Sequence, residues 1–267
     1  MSAVEAVAPG RGDLKIVSDP ETGVATITID RAAKLNSLTS EFWGDLRSAL
    51  ARLEADGTTR AIVITGAGER AFSAGGDIHG FSSLTTPAQR RAYIQDCMAT
   101  FAAVESCELP VIAAINGIAF GGGCELALAC DIVFASDAAT FAMPEAAVGL
   151  VPGFGVQRAP SVIGRQWSKY LIMSGGRIDA GTAERIGLVQ RVVPAADLTA
   201  EVIRFATKVA SQAPMAVGVA KQMINEGLDA SRLAGSVQAV SLLYSTEDSA
   251  EGIAAFAERR KPAFKGA

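Results

Sequence analysis

Short apolar runs rich in β-branched residues alternate along the chain with longer segments whose apolar residues recur three or four positions apart. Apolar residues at every second position on both sides of the turn Asp19–Gly23 predict a β-hairpin over 14–30. Helical spacing predicts a first helix over 40–56, with Thr39 or Ser40 as its N-cap. The chain therefore begins with a hairpin followed by an amphipathic helix.

Further apolar runs predict buried strands at 61–65, 111–115, 132–136 and 188–193, the last one ended by Pro194. Between them, a second helix is predicted from Thr86-Pro87, with an apolar stripe formed by Ile94, Met98, Phe101 and Val104, and a short buried helix over 124–130. From Leu198 onward only helical patterning remains. This alternation predicts an α/β fold with mainly parallel strands, a loose tail over 1–13, a core domain over 14–197 and a helical region over 198–267.

Two glycine-rich segments repeat each other. AFSAGGD (71–77) and AFGGGCE (119–125) stand at an offset of 48 (119 − 71), and each follows a buried strand and a turn. Free backbone N–H groups at two such corners could converge to form an oxyanion hole. Close packing of backbone on backbone is the alternative explanation for these glycines.

Two glutamates stand in nearly uncharged surroundings. Glu125 is the only charged residue between Leu109 and Cys130, and Glu145 shares the stretch from 132 to 157 with Asp137 alone. Burial raises the pKa of a carboxyl group, which suits it to acid–base catalysis near neutral pH. Capping of a helix N-terminus is the alternative role for either side chain.

Composition narrows the function classes. The net charge is −4 and no long basic run occurs, which argues against a nucleic-acid partner. Charged residues make up 19% of the chain, below the usual quarter, so we expect subunit interfaces to cover part of the surface. A single histidine, His79, and four cysteines without C-x-x-C spacing argue against a metal site.

Targeting signals are not evident. The first residues contain no apolar signal region, and no uninterrupted apolar run approaches the length of a membrane span. We therefore expect a cytoplasmic protein with free thiols and no membrane partner.

A dinucleotide-binding site is a rival interpretation of the segment after 61–65. Gly66-x-Gly68-x-x-Ala71 imitates the glycine fingerprint of such sites. That fingerprint needs a helix to begin at once, and the residues that follow do not favour one.

Five motifs together resemble the enoyl-CoA hydratase/isomerase (crotonase) family, from about residue 14 to the C-terminus. They are RAAKLNSL, AIVITGAGERAFSAGGDI, PVIAAINGIAFGGGCELALACDIVFA, FAMPEAAVGLVPGFG and AERRKPAF. The resemblance implies a spiral of β-β-α repeats followed by a helical region that builds homotrimers, often paired into hexamers. It implies no cofactor, because coenzyme A is part of the acyl-CoA substrate.

The resemblance also implies roles for individual residues. Glu125 and Glu145, with the family spacing of 20 (145 − 125), match the two catalytic glutamates of the hydratases. Ala74 and Gly122 would donate the oxyanion N–H groups, and Gly153 would hold the water through its backbone.

The family's CoA and acyl sites map onto further positions. Residues matched to CoA or substrate binding are Lys34, Leu35, Asp77, Ile78, Phe154, Lys261 and Phe264. The chain departs from the hydratase pattern at His79, where lysine is common, and in the loop 152–158, which is shorter and carries Phe154. Chain-length preference is therefore open at this stage.

The resemblance as a whole implies an enoyl-CoA hydratase that adds water syn to a trans-2-enoyl-CoA. Two alternatives remain at this stage. One is an isomerase or another acyl-CoA lyase or hydrolase of the same fold. The other is a non-catalytic relative that binds RNA or a partner protein.

Overall fold

The computed structural model describes residues 13–77, 80, 84–227 and 239–267. The predicted tail, except Asp13, lies outside the described residues, as do the predicted CoA-binding residue Ile78 and the neighbouring His79. None of the helices in the described ranges is long and apolar enough to cross a membrane.

The strands and helices follow the predicted alternation. The strands are β1 (Leu14–Asp19), β2 (Val24–Ile29), β3 (Ala61–Gly66), β4 (Ala71–Ser73), β5 (Val111–Ile115), β6 (Ile118–Phe120), β7 (Ile132–Ser136), β8 (Thr140–Ala142), β9 (Ile178–Asp179) and β10 (Arg191–Val193). The α-helices are α1 (Ser40–Ala55), α2 (Pro87–Ser106), α3 (Gly122–Ala129), α4 (Gly155–Val162), α5 (Gly164–Ser174), α6 (Ala180–Arg185), α7 (Leu198–Ala210), α8 (Pro214–Glu226) and α9 (Glu247–Glu258). Short 3-10 helices occupy Ala32–Lys34, Glu145–Val148 and Ala195–Asp197.

Two sheets share these strands. The larger has the order β1-β2-β3-β5-β7-β10, antiparallel only between β1 and β2. The smaller has the order β4-β6-β8-β9, antiparallel only between β8 and β9. Successive pairs β3–β4, β5–β6 and β7–β8 each place one strand in either sheet before the next helix. This arrangement is the predicted spiral of β-β-α repeats, and the fold-class prediction is confirmed.

The inner strands β3 and β5 of the larger sheet are buried on both faces, as expected for parallel strands. Ile62 and Ile64 of β3 face the main core beneath α1, α2 and α3, whereas Ala61 and Val63 face α7. Capping fixes where the core helices begin. Thr39 accepts a hydrogen bond from Phe42 N at the start of α1, and Thr86 forms a capping box at the start of α2.

Some predicted elements differ from the structure. The strand predicted over 188–193 begins only at Arg191, because Leu188 N and Val189 N donate to Ala183 O instead. Ile94, predicted to face the core, is 54% exposed at the mouth of a cavity. The strands β4, β6, β8 and β9, of two or three residues each, are too short for an alternation signal.

The dinucleotide interpretation is wrong. After Gly66 the chain turns directly into β4, and no helix begins there to receive a pyrophosphate. The division at 197 stays a prediction, with the border falling just before α7.

A buried ion pair attaches α8 to the sheet. Lys221 Nζ lies 2.8 Å from Asp131 Oδ2 and donates to the carbonyl oxygens of Val104 and Leu109. The same Asp131 oxygen accepts a hydrogen bond from Val111 N at the start of β5. Burial raises the pKa of Asp131, and the charge of Lys221 opposes that shift.

We expect Lys221→Met to lower the free energy of unfolding by about 3 kcal/mol, because it leaves a buried carboxylate without its partner. Adding Asp131→Asn should recover most of that loss. Urea denaturation at one fixed protein concentration measures both effects, with exposed Lys208→Met as the matched control. Equal stability of the Lys221 and Lys208 variants would contradict this role of the pair.

Candidate active site

A cavity of about 300 Å³ opens beside α2, where β4 and β6 end. Its lining combines apolar side chains with glycine backbone and two carboxyl groups. Of the predicted site residues it contains Ala74, Gly122, Glu125, Glu145, Gly153 and Phe154.

The two glycine corners meet beside this cavity because β4 and β6 are parallel neighbours. A Cβ on Gly75, whose φ is 94°, would lie 2.7 Å from Phe120 O. A Cβ on Gly123 would lie 2.5 Å from Ser73 O. Neither distance is tolerable, so the close-packing explanation holds for these two glycines.

Two other glycines of the corners present backbone N–H groups to the cavity. Gly122 is the first residue of α3, so its N–H has no acceptor within the helix. Gly76 pairs with Leu38 through Leu38 N to Gly75 O and Asp77 N to Leu38 O, which leaves its own N–H pointing away from Leu38. Gly76 N lies 3.8 Å from the place of a Cβ on Gly122. Within the described ranges, no hydrogen-bond acceptor is assigned to either N–H.

The prediction that Ala74 donates an oxyanion N–H is wrong. Its N–H donates to Leu35 O at 2.9 Å and is therefore committed outside the cavity. The positive φ of Gly75 interrupts the alternation of N–H directions, so that Gly76 faces the cavity instead. An offset of 48 in the sequence does not carry over to backbone direction, because the β4–β6 register shifts between Ala71 and Ser73.

Glu125 lies in the first turn of α3 and is 7% exposed. Its Oε1 accepts hydrogen bonds from Phe154 N at 2.8 Å and Gly155 N at 2.9 Å, where α4 begins. Burial raises the pKa of Glu125, and these two hydrogen bonds oppose the shift. The capping alternative thus holds in part, since the carboxylate caps α4 rather than its own helix. Both bonds use one oxygen, so the other remains for chemistry in the cavity.

Glu145 begins the 3-10 helix Glu145–Val148. Its Oε2 is buried and has no hydrogen-bond partner among the described residues. Burial raises the pKa of Glu145 to about 7, and the charge of Glu125 adds to the shift. Its Oε1 would lie 2.9 Å from a Cβ on Gly121, so glycine at that corner also makes room for the carboxyl group. Such a group holds or releases a proton near neutral pH.

Three residues predicted to bind CoA lie outside the lining of the cavity. Lys34 is exposed in its 3-10 helix, and Leu35 follows in the left-handed conformation with φ of 52°. Asp77 forms an ion pair with Arg31 at 3.1 Å. The CoA role of these three residues stays a prediction.

The C-terminal residues Lys261 and Phe264 do not reach the cavity of their own chain. The carbonyl of Phe264 accepts a hydrogen bond from Arg60, and its ring lies against Gly252 of α9. A role across a subunit boundary stays a prediction.

Asn36 is a residue that the sequence analysis missed. Its buried side chain donates to Ala67 O at 3.0 Å and Ala71 O at 2.6 Å, and accepts from Arg31 N at 3.0 Å. These bonds attach the loop before α1 to the turn between β3 and β4. The loop in turn supplies the Leu35 carbonyl that takes the Ala74 N–H. Asn36 has a positive φ of 54°, which asparagine tolerates better than most residues. The asparagine in the motif RAAKLNSL was therefore the available sequence signal.

Fold and site define an α/β spiral protein in which a carboxyl pair lies beside two N–H groups that have no acceptor within the described ranges. The family model for "Enoyl-CoA hydratase/isomerase" matches residues 19–267. The chain belongs to this family.

Relatives named as enoyl-CoA hydratases are similar over nearly the whole chain. A short-chain-enoyl-CoA hydratase of Clostridium acetobutylicum is 39% identical over 250 residues, covering 92% of this chain and 95% of the relative. A crotonyl-CoA hydratase of Syntrophomonas wolfei is 36% identical, covering 93% and 97%. The crystal structure of an enoyl-CoA hydratase from Bacillus anthracis superposes with a TM-score of 0.90 at 38% identity, covering 96% of this chain and all of that one.

The raised pKa of Glu145 predicts a stability signature. The folded state holds the proton of Glu145 more tightly than the unfolded state, in which the pKa of this group has its ordinary value of 4.5. The stabilisation is therefore complete below about pH 4.5 and is lost as pH rises through about 7. We expect Glu145→Gln to gain stability relative to the unmodified chain between about pH 5 and pH 8. Urea denaturation at both pH values measures the gain, and exposed Glu41→Gln should show none. Parallel pH curves for the unmodified chain and Glu145→Gln would refute the shift.

Proposed function

We propose that the chain is an enoyl-CoA hydratase, which adds water reversibly to a trans-2-enoyl-CoA and yields a 3-hydroxyacyl-CoA. One observation carries the proposal: Glu125 and Glu145 line the same cavity in different environments, beside the N–H groups of Gly76 and Gly122, for which the described part of the chain provides no acceptor. The names of the relatives support the same reaction. The C. acetobutylicum and S. wolfei proteins are named for short-chain and crotonyl substrates.

The two N–H groups form the oxyanion hole in this proposal. They receive the thioester oxygen as the double-bond electrons move onto it and an enolate forms. Their position at the junction of β4, β6 and α3 fixes them before the substrate arrives, so no reorganisation is needed during the reaction.

The carboxyl groups divide the proton transfers. Glu125, held by Phe154 N and Gly155 N, accepts a proton from the water as its oxygen bonds to C3 of the substrate. Glu145, protonated at neutral pH more often than an ordinary glutamate, gives its proton to C2 as the enolate collapses. Both groups act from one cavity, which accounts for addition to one face. The next water returns the proton from Glu125 to Glu145. The backbone of Gly153, which lines the same cavity, helps to hold the water.

Exposed apolar side chains in the C-terminal region bear on assembly. Ile224, Leu242 and Phe256 are each more than 70% exposed in the C-terminal region, which supports burial in a homotrimer or hexamer.

The four cysteines are buried free thiols, which supports a reducing compartment such as the cytoplasm. The proposed hydration needs no cofactor beyond the CoA of the substrate.

We expect Glu145→Gln and Glu125→Gln each to lower kcat for crotonyl-CoA hydration by about 10²- to 10⁴-fold, the usual loss for removing an acid–base group. Disappearance of the conjugated thioester absorbance measures the rate, and Glu41→Gln serves as the control. Undiminished hydration by Glu145→Gln would refute the mechanism. Exchange of the α-proton in D2O without hydration by the unmodified chain would favour the isomerase alternative.

Gly122 allows a direct test of its N–H. Proline suits the first turn of a helix but has no N–H, so Gly122→Pro should lose about 10²- to 10³-fold in kcat. Gly122→Ala keeps the N–H, and its Cβ would meet Leu38 at 3.5 Å, an ordinary contact. The alanine variant should therefore lose far less. Equal activities of the two variants, both folded by circular dichroism, would count against this donor.

A further inference from the structure

The aromatic ring of Phe154, which lines the cavity, contacts another aromatic ring and a guanidinium group. The ring centroid of Phe101 lies 4.9 Å from that of Phe154, and the guanidinium carbon of Arg158 lies 5.9 Å from it. The side chain is only 6% exposed. The ring thus contacts both an aromatic neighbour and a cation, and each of these interactions favours a particular ring orientation.

An ion pair fixes Arg158 in turn. Its Nη2 donates to Glu105 Oε2 at 2.6 Å. Phe101 and Glu105 are one turn apart on α2, and Phe154 and Arg158 are one turn apart at the start of α4. Each helix therefore supplies one ring and one charge. We call Phe101, Phe154 and the ion pair of Glu105 with Arg158 the aromatic wall.

The aromatic wall separates two spaces. Phe101 and Phe154 line the catalytic cavity. Glu105 and Arg158 line an open cleft of about 550 Å³, bordered also by Ala102 of α2 and by Gln222 and Asn225 of α8. No described residue lines both spaces, and the contacts Phe101–Phe154, Phe154–Arg158 and Arg158–Glu105 connect the two linings through the aromatic wall.

We propose that the aromatic wall sets the upper limit of acyl-chain length and restricts the enzyme to short trans-2-enoyl-CoA substrates. This inference rests on the proposed hydratase function. A chain that extends past the cavity must displace the Phe154 ring, which requires loss of its contacts with Phe101 and Arg158. The same residue provides a backbone N–H to Glu125, so ring displacement also disturbs the catalytic carboxylate. A long substrate is thus penalised in both binding and chemistry.

The test compares kcat/KM for trans-2-decenoyl-CoA and crotonyl-CoA. The unmodified chain should favour crotonyl-CoA strongly. Phe154→Ala should raise the ratio of decenoyl to crotonyl kcat/KM by roughly tenfold or more, since relief of steric exclusion acts on the long chain alone. The ratio is the readout because Phe154 also borders the catalytic site. Val156→Ala, on α4 but outside both spaces, should leave the ratio unchanged.

A second substitution locates the path of the long chain. Ala102→Trp fills the outer cleft and should leave crotonyl-CoA turnover as it is. Combined with Phe154→Ala, it should remove the gain for decenoyl-CoA. Phe154→Leu and Arg158→Gln, which weaken the wall without emptying it, should each raise the ratio in part and provide the test if Phe154→Ala does not fold.

Two failures are distinguishable. No hydration of any enoyl-CoA by the unmodified chain would overturn the proposed function. Hydration of crotonyl-CoA with an unchanged ratio in the Phe154 and Arg158 variants, or equal use of both substrates by the unmodified chain, would overturn the aromatic wall alone. Persistence of the gain in the Ala102→Trp double variant would also overturn it, because the chain would then leave by another path.

Discussion

The close approach of two backbone corners is the constraint on which the site depends. The chain after β4 passes so near to the chain after β6 that side chains at Gly75 and Gly123 are excluded. This contact brings Gly76 and Gly122 together and leaves their N–H groups without acceptors in the described part of the chain. In a low-dielectric cavity such N–H groups stabilise developing negative charge strongly. Packing and chemistry are therefore one requirement at these corners.

The carboxyl groups differ because the same fold surrounds them differently. Glu125 lies on α3 directly after the corner and receives two N–H groups from the start of α4. Glu145 lies after β8 and has a buried oxygen with no partner among the described residues. Hydrogen bonds that favour the charged form oppose burial in the first case, whereas little opposes it in the second. The structure thereby separates a fixed acceptor from a group poised to carry a proton.

The sequence predicted the larger sheet well and the smaller sheet hardly at all. A run such as 61–65 is long enough to show β-branched enrichment, whereas β4 is three residues long and is defined only by its neighbour β6. The carboxyl pair was visible because charge is rare around it. The oxyanion donors were not, because N–H direction depends on φ at Gly75 and on a register shift, neither of which residue types reveal. The aromatic wall likewise depends on contact between two helices that are far apart in the sequence.

The stereochemistry of water addition tests the central claim most directly. If both carboxyl groups act from one cavity on a substrate fixed by the Gly76 and Gly122 N–H groups, hydroxyl and proton reach the same face of the double bond. Hydration of crotonyl-CoA in D2O should then give one diastereomer of 3-hydroxybutyryl-CoA, deuterated at C2 on the face that received the hydroxyl group, as read by proton NMR. Anti addition, or a mixture of C2 epimers formed during a single turnover, would contradict the account.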